Sequence, residues 1–164
     1  MGIRLVPHDP KWADIYKRTA ADIRDALGGT ALSIDHVGST AIPGIDSKPV
    51  IDILVLVEAY DPEEVYRVPL ESLGYVFMHR EGWHVFFEGH PSGMSTQVHI
   101  VEESSEDSRV MVTFRDHLRT HPDEARRYEQ LKRSLADRYS DGNVYADAKS
   151  EYVQEVVRRA EPIA

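Results

Sequence analysis

The sequence predicts an α+β fold: a mixed sheet of about five strands, an N-terminal helix and a C-terminal three-helix segment. Three observations carry this. Two β-rich runs flank a Gly-Ser-Thr loop, and three more runs between Tyr75 and Val101 are separated by gaps of hairpin length. From Asp107 onward, apolar residues recur only at helical spacing. At 164 residues the chain has room for one core and little more, so one domain is expected over 1–164, with a sheet-containing half of about 1–103 and a helical half of about 104–164.

Asp9-Pro10 offers a capping side chain and a proline suited to a first helical turn, and Trp12, Ile15, Tyr16, Ile23 and Leu27 follow at helical spacing, predicting a helix of about 10–27. Gly28-Gly29 ends it, and a strand of about 31–37 leads into the loop that opens Gly38-Ser39-Thr40 and closes Pro43-Gly44. The run Ile51–Val57 reads as a strand buried on both faces. Asp61-Pro62-Glu63-Glu64 repeats the capping device for a second helix ending at Gly74, with Pro69 expected to kink or split it. Tyr75–His79, Trp83–Glu88 and Ser95–Val101 then predict three antiparallel strands. Pro122 and the Ser140–Asn143 turn divide the helical half into three, whose apolar stripes read as packing against one another and the sheet.

Composition narrows the chemistry. With no cysteine, thiolate zinc sites, disulfides and cysteine nucleophiles are excluded. No apolar run approaches membrane-spanning length and no secretory leader is recognisable, so a cytoplasmic protein is expected. A net charge of −9 argues against long nucleic acid as a partner, whereas local clusters of Lys and Arg leave room for a small phosphorylated ligand.

Asp52 is the most informative residue, because an ionised carboxylate in an apolar strand is costly unless paired or bound to a cation. Strand alternation puts Lys48 on its side of the strand, and pairing between the two is the structural explanation. Gly38 permits close approach of a ligand to the backbone, while Ser39 and Thr40 add hydroxyl donors for phosphate oxygens. Asp35 and His36 fall on opposite faces of the preceding strand; either could line a pocket, and His36 is equally well explained as a packed, hydrogen-bonded residue. In Gln97-Val98-His99-Ile100, Gln97 and His99 share a face, making His99 a candidate metal ligand, general base or phosphate donor. Arg115 and Arg119 share one helix face; Lys132 follows Tyr128 by one turn and Lys149 follows Tyr145 by one turn. Surface solvation is the ordinary explanation of any one such lysine, but cations converging from three helices would need a polyanion.

These motifs resemble the GrpB family: His36–Gly44, Lys48–Ile53, the His99 strand, Phe114–Arg119, Tyr128–Lys132, and Tyr145 with Lys149, together with the Asp9–Trp12 start, so that the likeness runs nearly the whole chain. The resemblance implies a nucleotidyltransferase-like fold of the polymerase-β type. It implies a Gly38-Ser39 turn on nucleotide phosphates, with Asp52 holding divalent metal. In that superfamily a second acid stands two residues on and another on a later strand; here the positions offer Leu54, and Gln97 with His99. Two readings follow. One is a nucleotidyltransferase-like protein that binds a nucleotide or other phosphorylated small molecule and transfers a nucleotidyl group with Mg²⁺. In it Asp52 is the ligand, helped by Asp35 or His99, either of which serves as base, and Lys48, Arg115, Lys132 and Lys149 neutralise charge beside Ser39, Thr40 and Tyr145. The other is a noncatalytic anion-binding module. A histidine-centred hydrolase using His36, His84 and His99 ranks below both, since these residues lie on separate strands.

Overall fold

In the computed structural model, which describes residues 3–81 and 84–160, one five-stranded sheet has the order β1-β2-β5-β4-β3. The strands are β1 Ser33–Val37, β2 Val50–Val57, β3 Val76–Glu81, β4 His84–Gly89 and β5 Ser95–Glu102; the helices are α1 Lys11–Leu27, α2 Glu64–Ser72, α3 Val110–Thr120, α4 Pro122–Arg138 and α5 Gly142–Ala160. The pair β2–β5 is parallel and every other pair antiparallel, so the sheet is mixed, as the pattern predicts.

Asp9 opens α1 as expected: its Oδ1 accepts from the Lys11 amide at 2.9 Å, and Pro10 stands where a missing N–H costs nothing. The second helix departs from expectation. Asp61 is committed to Arg80, whose guanidinium donates to both carboxylate oxygens at 2.8 and 3.0 Å, and α2 starts at Glu64 with no side-chain cap. A two-point Arg–carboxylate bond is stronger than a single cap to a neutral amide. Pro69 does not split α2, which runs on to Ser72.

Alternation explains the two faces. Ile51, Ile53 and Val55 of β2, Val98 and Ile100 of β5, and Val85 and Phe87 of β4 point to the back face, where Trp12, Ile23 and Leu27 of α1 and Tyr66 and Leu70 of α2 cover them. The front face is covered only in part: Val37, Leu54 and Val101 pack beneath Met111 and Val112. Consequently β2 is not sealed on both sides, and Val50, Asp52 and Leu56 keep part of their surface open. The helical stripes pack against one another and onto the loop after β1, where Ile42 and Ile45 join Phe114, Leu118, Ala125, Tyr128, Val156 and Val157, while α3 also meets the sheet through Met111 and Val112.

Candidate functional site

The β1–β2 register sets Val37 opposite Asp52, so the residue after β1, Gly38, turns directly over the carboxylate. Gly38 has φ +75° and ψ −175°, and a Cβ added there would lie 2.4 Å from Asp52 Oδ2. Only glycine allows both the backbone angle and this approach. The chain then makes a single tight turn over Ser39–Ala41, closed by the Ala41 amide on the Gly38 carbonyl.

The hydroxyls of this turn have different partners. Thr40 Oγ1 donates to the Val50 carbonyl at 2.9 Å and sits 3.0 Å from His36 Nε2, which therefore carries a proton and donates to it. Thr40 thus locks the loop to β2 and is not presented to a ligand as the sequence suggested. His36 is buried on the back face and stacks on Tyr16 of α1 at 4.7 Å, which settles it as a packing residue. Ser39 Oγ, by contrast, donates toward Tyr128 of α4 at 3.2 Å, on the front side.

Burial holds His36 down to about 4 and His84 to about 3 against an ordinary 6.5. For a depressed histidine the unfolded chain binds the extra proton first, so stability is intact above pH 6.5 and is lost as pH falls from there toward 4 and then 3. The urea midpoint is expected to fall across that window. A His36→Gln variant, which keeps the Nε2 donor but cannot titrate, should show a flatter fall.

Asp52 has a second neighbour on the front face. His99 Nε2 lies 3.2 Å from Asp52 Oδ1, and His99 Nδ1 lies 2.8 Å from His84 Nδ1. The two imidazole centroids are 4.9 Å apart with planes within 10°, so with their nitrogens this close the rings meet edge to edge, in line for an N–H···N bond. The carboxylate can only accept, so His99 carries its proton on Nε2; its bare Nδ1 accepts from His84. Both nitrogens of His99 are committed, leaving neither for a metal or an acceptor proton while these bonds stand.

Asp35 shares the front face but pairs with Leu54, one row away from Asp52, and its Oδ1 accepts from Arg115 at 3.2 Å. Arg115 also donates to the His36 carbonyl at 2.9 Å and pairs with Asp116, while Arg119 Nε holds the Ala41 carbonyl at 2.9 Å. The arginine pair is therefore a set of stays between α3 and the loop, and Asp35 is not brought to Asp52.

The lysines do come together. Lys48 and Lys149 place their ammonium groups 5.1 and 4.6 Å from the Tyr145 ring centroid, and Lys132 lies 4.9 Å from that of Tyr128, the ring that receives Ser39. Lys132 is buried and donates to the Asp46 carbonyl. Among the described residues no carboxylate forms an ion pair with any of the three. Burial, then the neighbouring Lys149, lowers both Lys48 and Lys132, the latter to about 7. The Tyr145 hydroxyl is buried with no hydrogen-bond partner among the described residues.

A metal pair does not fit these donors. Leu54, where a second carboxylate would stand, is fully buried in the apolar cluster with Val37 and Val101, and no three His, Asp or Glu side chains converge among the described residues. Alternation also hid one residue: Glu88 of β4 stands opposite Gln97, itself opposite Asp52, and accepts from Gln97 Nε2 at 3.2 Å. It shares a face with His84 and Phe86 by alternation, but which strand that face's residues lie beside is a matter of register, which alternation does not supply.

Residues 2–159 match the family described as GrpB protein. The chain belongs to the GrpB family. It is 38% identical over 162 residues to a UPF0157 protein of Halalkalibacterium halodurans, covering 96% of this chain and 82% of that one. It is 33% identical over 161 residues to the glutamate-rich protein GrpB of Alkalihalophilus pseudofirmus, covering 93% and 92%. A dephospho-CoA kinase of Mycolicibacterium paratuberculosis is 30% identical over 188 residues, but that match spans 96% of this chain and only 46% of the kinase. The crystal structure of conserved protein GrpB from Enterococcus faecalis superimposes with a TM-score of 0.82 at 25% identity, over 96% of each chain. A cytoplasmic RNA terminal U-transferase gives a TM-score of 0.54 at 14% identity over 77% of this chain and 39% of that one, a likeness of fold. The GrpB chain thus has a nucleotidyltransferase-like α+β fold. Among its described residues no helix is long and apolar enough to cross a membrane.

Proposed function

We propose that this GrpB-family protein binds a nucleotide or other phosphorylated small molecule at the Gly38–Ser39 loop and, acting in the cytoplasm, transfers a nucleotidyl group from it. One observation carries the reading: Lys48 and Lys149 flank the Tyr145 ring, Lys132 stands on Tyr128, the residue Ser39 reaches, and the three ammonium groups lie close enough to perturb one another with no paired carboxylate among the described residues. Gathering like charges around a buried ring is unfavourable unless an anion joins them. Phosphate oxygens would accept from these ammonium groups, from Ser39 and from the Tyr145 hydroxyl, which has no partner among the described residues. Asp52 would hold one Mg²⁺ carried in with the phosphates, and the ion would supply charge neutralisation at the transferring group. The fold-level likeness to a U-transferase supports the reaction class.

Leu54 favours a second reading, a binding module without turnover. A thermal-shift screen of the four nucleoside triphosphates, CoA precursors and pyrophosphate, each with Mg²⁺ and with chelator, separates the two, because a ligand that binds only the folded chain raises its melting temperature. A shift that needs Mg²⁺, with product on incubation, supports transfer. A shift indifferent to Mg²⁺, without product, supports the module, and no shift with any ligand defeats both.

Lys132 supplies an independent check. Its folded value near 7 lies below its ordinary 10.5, so its penalty is fully present below pH 7 and stability gains as pH rises from 7 toward 10.5. A bound anion raises that value, so phosphate binding at about pH 8 is expected to take up a proton. Calorimetry in buffers of different ionisation enthalpy would read the uptake, and Lys132→Met should abolish it.

A further inference from the structure

The open front face leads from Asp52 to an occupied row and then a cavity. Asp52 on β2, Gln97 on β5, Glu88 on β4 and Val76 on β3 stand side by side across the four strands. Neighbouring strands are about 4.8 Å apart, which puts the Glu88 backbone about 10 Å from that of Asp52. There the sheet ends in a cavity of about 580 Å³ lined by Leu73, Val76, Met78, Glu88, His90 and Pro91. Val76 and Met78 are large apolar side chains left half exposed, 60% and 48%, two residues apart on an edge strand where both line the same opening. Glu88 is the carboxylate of this lining, and Gln97 takes one of its several acceptor positions.

We propose that this cavity is the acceptor pocket of the Asp52 site and takes an amine, positively charged, on an apolar body about 10 Å from a hydroxyl that reaches Asp52. That hydroxyl oxygen bonds the α-phosphorus of a nucleoside triphosphate, pyrophosphate leaves with the electrons of the broken O–P bond, and the hydroxyl proton passes to solvent. The identification as an acceptor pocket rests on the reading of the loop and lysines as a phosphate site; the amine selectivity rests on the cavity alone. The apolar body lies against Leu73, Val76 and Met78, and the ammonium meets Glu88. Lys48, at the near edge of the lysine cluster, already feels the Glu88 carboxylate, so the entering ammonium takes the side of Glu88 that faces the cavity, away from the lysines.

The test uses the whole chain, labelled with ¹⁵N, titrated with hexylamine, hexanol and hexanoate, and separately with ATP and Mg²⁺. Hexylamine is expected to move the amides of Val76, Gly89 and His90 and to leave those of Gly38 and Ser39 in place, binding about tenfold more tightly than hexanol, while hexanoate has no effect. Glu88→Gln should reduce the amine's preference over the alcohol to near one, and Met78→Ser should weaken both. Equal binding of amine and carboxylate, or no response at the cavity amides, overturns the pocket. If hexylamine behaves as described while ATP moves no loop amide, the phosphate reading fails and with it the acceptor role, but the amine site stands.

Discussion

Replacing Gly38 by alanine is expected to cost about 3 kcal/mol or more, a large share of the roughly 5–15 kcal/mol that stabilises a domain of ordinary size. Two terms combine. The backbone at φ +75° and ψ −175° is a region that side chains avoid, and the new Cβ would stand 2.4 Å from Asp52 Oδ2. They can be separated with a double variant: Asp52→Gly removes the clash and leaves the backbone term. Urea unfolding of Gly38→Ala, Asp52→Gly and the pair is expected to show coupling of 1 kcal/mol or so in favour of the pair. A Gly38→Ala protein within about 0.5 kcal/mol of the parent would show that the loop does not press on the carboxylate as described.

The second large effect concerns Asp52 itself. Asp52→Asn keeps an oxygen that can accept from His99 Nε2, so the fold is expected to survive. Mg²⁺-dependent turnover should nonetheless fall about a thousandfold, since the amide lacks the charge that holds a hard cation. Asp52→Ala should lose turnover equally and also stability, by about 1–3 kcal/mol, because the buried His99 N–H is left without its acceptor. Turnover that persists undiminished in Asp52→Asn would end the proposal of transfer at this carboxylate.

Much of the architecture could be read from periodicity because each element repeats at its own period over several turns or pleats. The faces were legible as well: alternation places His36 opposite Asp35, and Gln97 with His99, as the structure shows them. What alternation cannot supply is register. That His84 would meet His99 depends on which residue of β4 lies beside β5, and that Glu88 would meet Gln97 depends on the same pairing. The partners of Arg115, Arg119 and Thr40 are hidden from the sequence for a related reason. Their residue types suit phosphate as well as backbone carbonyls, and only the folded chain shows carbonyls of Ala41, His36 and Val50 within their reach. Asp61 shows the local version, where a distant arginine outcompetes the adjacent helix end.

The grip of α4 on Asp46 has a consequence for how the protein comes to be. Glu129 accepts from the Asp46 amide, Lys132 donates to its carbonyl, and Arg133 pairs with its carboxylate, contacts spanning 83, 86 and 87 residues of sequence. The stretch that crosses from β1 to β2 therefore takes its final shape from a segment made long after it. During synthesis, both strands can emerge before the helix that fastens the link between them. Loop closure over such a span is slow compared with the turns inside α1 or the hairpin of β3 and β4. The newborn chain would thus own a sheet before the link between β1 and β2 is fastened, and the proposed phosphate site, which draws Lys132 from α4 and Lys149 from α5, would be complete only after both helices dock.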